Sequence, residues 1–367
     1  MSAFGGTLSA RHDFAANAIR ELYELWQVEP HQSQLVGKPN DLYGSGFGFD
    51  WWPGDFKVQV RVQGGDTDFC RLSVRTDFLR DVDRTKPEFF TRLGGLNRLA
   101  VGFALVCAPS GLSGESADPR SFDVWLASVV YVYPTMSWLT RFFGYLALLQ
   151  PIEAQGRAGP AAVLLGGAPN VSKRGDPNAK SELDDMLNAE KDVFQAAGQD
   201  ASRWRGTGEF EAIAERWGRN DAAFGIGDPT GLTRETPFGD RSALLQLLTD
   251  RPHPRLGNGL FSVASLPTSF DDSEQAHYLA AVMNYREAIE WTECQSLLLG
   301  AWSVAEQGQI AYGAFIPNAL YRPGIAENEA LQELTRLRWT REEYGPEVAD
   351  LPMIEIIRNR MERPREA

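Results

Sequence analysis

Residues able to do chemistry are present in this chain, but their spacing does not gather them. Metal sites need clustered His, Cys or carboxylate groups. The four histidines, His12, His31, His253 and His277, are scattered, and His277 has Glu274 beside it but no second His four residues away. Gly44-x-Gly46-x-Gly48 has the look of a phosphate loop, yet it precedes a strand and no lysine follows at Walker spacing. Gly225-Ile226-Gly227-Asp228 fails in the same way. A serine nucleophile on a strand–helix elbow needs G-x-S-x-G, and Gly111-Leu112-Ser113-Gly114-Glu115 breaks the pattern at its fifth place. Asp81 with Asp83, and Asp184 with Asp185, read as solvated carboxylates, the latter pair favoured by a helix N-terminus. The sequence thus assigns no catalytic, cofactor-binding or metal-binding residue, and it points away from an enzyme.

Two sets of side chains are suited to recognition. Lys57, Arg61, Arg71 and Arg75 project from one face of an antiparallel sheet and make a local basic face on an acidic chain. Such a face could receive an acidic segment, or be a solvated surface with scattered ion pairs. Trp51, Trp52, Trp302 and Tyr312 lie on strands, where aromatics either anchor interfaces or fill a core.

The formal charge of −13 repels phosphate backbones and anionic bilayers, so nucleic acid is not an expected partner. Cys70, Cys107 and Cys294 are widely spaced and odd in number, which reads as buried free thiols in a reducing cytoplasm. No signal peptide is visible in Met1 to Ala10. Val124 to Leu149 is long and apolar, but Pro134 and Arg141 interrupt it, so a strand followed by a buried helix is expected and membrane insertion is not.

The elements that would position these residues repeat. Phe14, Ala18, Ile19, Leu22, Leu25 and Trp26 form the apolar stripe of a first helix, and Pro30 to Gly46 reads as a loop. Strands follow near 47–52, 56–63 and 70–76, the second alternating Phe56, Val58, Val60 and Val62 against Lys57, Gln59, Arg61 and Gln63. A helix from Pro87 to Leu99, weakened by Gly94-Gly95, precedes strands at 101–107 and 122–133 and a helix bearing Leu139, Phe142, Phe143, Leu146 and Leu149. The second half repeats the order. One or two helices span 181–217, and strands lie near 232–236, 242–249 and 259–266. Asp271 with Glu274 suggests a capping box for a helix with Tyr278, Ala281, Val282, Tyr285 and Ile289 on one face. A hairpin over 297–316 turns at Glu306-Gln307-Gly308, and a last helix turns Leu331, Leu334 and Leu337 inward. The turns Trp52-Pro53-Gly54-Asp55 and Pro237-Phe238-Gly239-Asp240 correspond, as do the strand–helix junctions at Pro134 and Pro317.

The expected fold is α+β: two tandem α-β-β-β-α-β-β-α units with antiparallel sheets, a pseudo-dimer by internal duplication. The expected boundaries are a first copy at 1–157, a linker at 158–180, a second copy at 181–345 and a tail at 346–367. On the turn–strand units at Gly54-Asp55 and Gly239-Asp240, the junctions at Pro134 and Pro317 and the hairpin from Leu299-Gly300-Ala301-Trp302 to Ala314-Phe315-Ile316-Pro317-Asn318, the chain resembles the type III secretion chaperone-like fold, including the YbjN-like proteins. The resemblance implies homodimeric pairing, no catalytic residues and no cofactor, and binding of a protein or peptide partner. Here two covalently joined copies would make either a monomeric pseudo-dimer or a homodimer. The reading that follows is a non-enzymatic chaperone- or adaptor-like binding module. The alternatives are an enzyme with its site in a cleft between the halves, and a structural subunit of a larger assembly.

Overall fold

The computed structural model of the chain describes residues 10–38, 46–64, 69–109, 121–133, 136, 138–172, 179–218, 224–225, 231–269, 273–289, 297–305 and 308–344. Helices and strands are numbered in chain order. The chain divides into two compact units. Unit 1 comprises Met1–Lys86, Ala100–Phe194 and Leu297–Leu299; unit 2 comprises Pro87–Leu99, Gln195–Ser296 and Gly300–Ala367. Each unit therefore takes a segment from the other half of the sequence.

In unit 1, α1 (Ala10–Leu25) precedes β1 (Ser33–Val36), β2 (Phe47–Trp51), β3 (Val58–Gly64) and β4 (Cys70–Asp83). Strands β5 (Ala104–Pro109) and β6 (Ser121–Val132) lead to α3 (Trp138–Ala147), α4 (Leu149–Leu165), β7 (Ala168–Pro169) and α5 (Ala179–Ala189), which a π turn at Glu190–Gln195 extends. The alternation written into the sequence sets the sheet: Val58, Val60 and Val62 are fully buried, and Gln59 and Arg61 face the other way. Helix α1 closes that core. The Trp26 indole N–H donates to the Gly144 carbonyl at 3.0 Å and its ring stacks on Trp51 at 5.4 Å. Beneath α4, the carboxamide of Gln150 is buried. Its oxygen accepts from Thr76 Oγ1 at 3.0 Å, and its nitrogen donates to Ser128 Oγ at 2.6 Å and to the Val74 carbonyl at 3.3 Å.

Unit 2 contains α2 (Phe89–Asn97), α6 (Glu209–Gly218), β8 (Phe224–Gly225), β9 (Gly231–Phe238), β10 (Arg241–Leu248), β11 (Gly259–Ser269), α7 (Ser273–Ile289), β12 (Gly300–Val304), β13 (Gln309–Pro317) and α8 (Ile325–Tyr344). Helix α2 lies against α7 with Thr91 Oγ1 donating to Glu274 at 2.8 Å and Phe90 edge-on to Tyr278. The buried carboxamide of Asn318 donates to the carbonyls of Ala197, Asp200 and Ala201 and accepts from the Arg203 N–H, tying the loop after the π turn to the end of β13.

The strand orders of the two sheets coincide. The main path of the first runs β1-β2-β3-β4-β6-β5, with β7 added beside β4, and the second runs β8-β9-β10-β11-β13-β12. All named strand pairs are antiparallel. The chain is an α+β protein in which the second half repeats the strand order of the first place for place. No helix among the described residues is long and apolar enough to cross a membrane; the apolar run from Val124 is β6 followed by α3.

Four local expectations are corrected. The loop expected over 30–46 contains β1, four residues that acquire strand geometry only by pairing with β2. The linker expected at 158–180 begins inside α4, which continues to Leu165 through Pro160. Pro160 is on the exposed side, where water can serve the backbone carbonyl that a proline leaves without a donor. The corresponding turns differ in kind: Phe238 pairs with Arg241 across a two-residue turn holding Gly239 at φ 66°, whereas Trp51 pairs with Val58 across six residues. Helix α8 turns Leu331 outward, 47% exposed, and buries Glu329, Glu333, Arg336 and Leu337 instead. Pro134, Thr135, Gly44, Gly111–Glu115, Ile226–Asp228, Asp271, Cys294, Glu306, Gln307 and the tail 346–367 lie outside the described residues.

Candidate functional site

The four basic residues of the first sheet share one face but are not equivalent. Arg61 in β3 forms an ion pair with Asp50 of β2 and donates to the carbonyls of Phe49 and Val60, both at 2.9 Å. Lys57 approaches the same carboxylate at 3.9 Å. One strand further on, the Arg75 guanidinium lies over the Trp125 ring of β6 and 3.9 Å from Asp77. Burial lowers the pKa of Arg75 to about 10, against the opposing pull of Asp77, Asp123 and Asp50. The same burial raises the carboxyl of Asp77, with Arg75 and Lys57 opposing. Arg71 is buried and donates to Gln63 Oε1 at 3.2 Å; burial depresses its pKa, with Tyr131 opposing. The basic face is thus interleaved with Asp50 and Asp77. Lys57, Arg61 and Arg75 lie against carboxylates and Arg71 is buried on Gln63, so the face is not an open positive field.

The aromatic candidates are placed differently. Trp51 is in the core of unit 1, stacked on Trp26. Trp52 is half-buried and its indole N–H donates to Ser172 Oγ at 3.0 Å. Trp302 and Tyr312 are fully buried and adjacent across β12 and β13 in unit 2, rings 5.6 Å apart.

That last pair belongs to a cluster that reading the sequence missed. Arg336 of α8 has 0% exposure, and its Nε and Nη2 grip both oxygens of Glu287 in α7 at 3.1–3.2 Å. Its Nη1 donates to Glu333 Oε1 at 2.7 Å. Its guanidinium lies 3.5 Å from the centre of the Tyr312 ring. The Trp302 indole N–H donates to Glu287 Oε1 at 2.6 Å, and the Asn284 carboxamide bonds both the N–H and the carbonyl of Trp302. Glu329, one turn before Glu333, is buried too. Burial raises the carboxyl of Glu329 to about 7, with Arg336 opposing, and that of Glu333 to about 8, where Glu329 and Glu287 add to the rise and Arg336 opposes it. The Tyr312 hydroxyl is pushed well up by the same burial. Perturbed carboxyls often mark active sites, but a general acid or base must reach a substrate. These side chains are enclosed, so their direct role is to hold α7, α8 and the β12–β13 hairpin together.

The signal for this cluster was in the sequence. Glu329, Glu333 and Arg336 keep helical register with Ala326, Ala330, Leu337 and Thr340, all of them buried. The rule that charges face water chose the leucines instead.

The edges of the first sheet also differ. At one end β5 is buried along its length except for a half-buried Pro109. At the other, β1 pairs with β2 from Ser33↔Trp51 to Val36↔Gly48. Leu35 there is 43% exposed, and among the described residues no strand lies beyond β1. Among the described residues no group of His, Cys, Asp and Glu side chains could hold a metal ion. Compared with protein-family models, with curated proteins and with solved structures, the chain matches none.

Proposed function

We propose that this chain is a non-enzymatic binding module, chaperone- or adaptor-like, that takes an extended segment of a partner protein on the outer edge of β1. The observation that carries this reading is the contrast between the two ends of the first sheet, one buried and the other bearing the exposed Leu35. An end strand offers a row of backbone donors and acceptors to a further strand, and an extended peptide binds there by main-chain hydrogen bonds. The duplicated α+β order and the resemblance to chaperone-like proteins support a binding rather than a reacting role. The paired charges of Asp50 on β2, Arg61 on β3 and Lys57 just before β3 lie beside this edge and would set which polar side chains the incoming strand can present.

Affinity enrichment of the native protein against a Leu35→Lys variant tests this. A lysine on an end strand opposes strand addition. Partners recovered with the native chain should be lost with the variant while both fold alike. The same partner set on both chains, or none above background on either, would overturn the reading.

A further inference from the structure

Among the described residues of unit 2, three buried carboxyls stand against one buried guanidinium. Glu287, Glu329 and Glu333 are each at most 4% exposed, and Arg336 is the guanidinium they face. Glu287 is fully engaged, by Arg336 on both oxygens and by Trp302. Glu333 uses Oε1 on Arg336, while its Oε2 is buried without a hydrogen-bond partner. With all three glutamates ionised the cluster would carry two uncompensated negative charges away from water. Buried charge of that kind is neutralised when the group takes up a proton.

Among the described residues, Arg336 is the one cation that acts on Glu329 and Glu333. On β9, Arg234 lies over Trp217 and Glu235 is exposed. On β10, the exposed Arg241 donates to the Pro267 carbonyl, and β11 has no titratable side chain. On α6, Arg216 pairs with Glu327 and Glu209 accepts from the Gly324 N–H. On α7, Arg286 pairs with Glu343, and Glu274 accepts from Thr91. Tyr312 of β13 also faces the cluster. The orphaned Oε2 of Glu333 is the atom left to carry a proton.

From this geometry we infer that unit 2 is a proton-linked fold: it binds protons on Glu329 and Glu333 in its folded state and loosens when alkaline pH removes them. This is independent of what binds at β1. The sign follows from the raised carboxyls. A folded state that holds a proton the unfolded chain has released loses stability as pH rises. The proton-linked contribution is complete below the ordinary glutamate value of 4.5 and is lost as pH climbs through about 7 for Glu329 and about 8 for Glu333. The stability of unit 2 would then answer to pH within the neutral range.

Urea unfolding of the full chain, followed by tryptophan fluorescence from pH 5.5 to pH 9, reads this out. Between pH 5.5 and pH 7, the unit 2 unfolding constant should rise up to about tenfold per pH unit for each retained proton. A Glu329→Gln/Glu333→Gln variant keeps the shape and loses the charge, and its profile should be nearly flat over the same range. Equal slopes in the native chain and the variant would overturn the proposal. Should the double variant not fold, carbon-13 carboxyl NMR of the native chain, assigned with the single Gln variants, decides instead. Two glutamate carboxyls titrating above pH 6 support the proposal. Titration of every glutamate below pH 5.5 refutes it.

Discussion

Arg336 and Glu287 form a two-pronged ion pair across α8 and α7, with three N–H donations at 3.1–3.2 Å and neither side chain reaching water. Arg336 is the cation for three buried carboxyls, so removing it leaves Glu287 in a dry site without a counter-ion. Arg336→Met should therefore cost about 3–5 kcal/mol of unit 2 stability, measured by urea unfolding. Replacing Arg336 by Met and Glu287, Glu329 and Glu333 by Leu together should be far milder, because no charge is then left unpaired. The exposed Arg338–Glu342 pair on the same helix is the control, and Arg338→Ala should leave the unfolding midpoint where it is.

Gly94 and Gly95 are neighbours in α2 with opposite requirements. A Cβ on Gly94 would stand 2.3 Å from His277 Nδ1 on α7, whereas one on Gly95 meets nothing within 4 Å. Gly94→Ala should destabilise unit 2 by about 1–3 kcal/mol through overpacking. Gly95→Ala should stabilise it by about 0.5–1 kcal/mol, because alanine loses less backbone freedom in a helix. Thermal unfolding of the two variants side by side reads the difference in sign.

Gln150 holds unit 1 by a neutral network where unit 2 uses charge. Gln150→Leu keeps the bulk but leaves Thr76 Oγ1 without its acceptor, which should cost about 1–3 kcal/mol. Because nothing in that network titrates near neutrality, the loss should be the same at pH 6 and pH 8.5 by chemical denaturation.

The thiols of Cys70 and Cys107 are enclosed, and burial raises the pKa of Cys107 to about 12. The reactive thiolate is therefore scarce. Both should resist iodoacetamide at pH 8 in the folded protein and react fully in urea. Peptide mass spectrometry after labelling checks this.

Much of the architecture was legible because two periodicities are strong. Alternation at Val58, Val60 and Val62 fixed a strand with one buried face, and the order of turns and helices exposed the repeat that the two strand orders realise. What could not be read depends on contacts distant in sequence. β1 is strand only because β2 pairs with it, and its residues alone suggest a loop. The buried face of α8 contradicts hydropathy because Glu287, forty-nine residues earlier, accepts from Arg336. Helix α7 carries Asn284 and Glu287 inward beside apolar neighbours, and one apolar stripe does not describe it. Among the candidate residues, sequence placed Lys57, Arg61, Arg71 and Arg75 on one face. The compensation by Asp50 and Asp77 needed the sheet register to be seen.

Hydrogen exchange at the backbone amides of residues 33–36, with and without bound partner, tests the functional account most directly. Strand addition on β1 predicts slowed exchange on binding at Ser33 and Leu35, whose N–H groups point away from β2, with Gln34 and Val36, which face β2, and the amides of β5 unchanged. Tight partner binding that leaves the Ser33 and Leu35 amides exchanging at their free rate would contradict it.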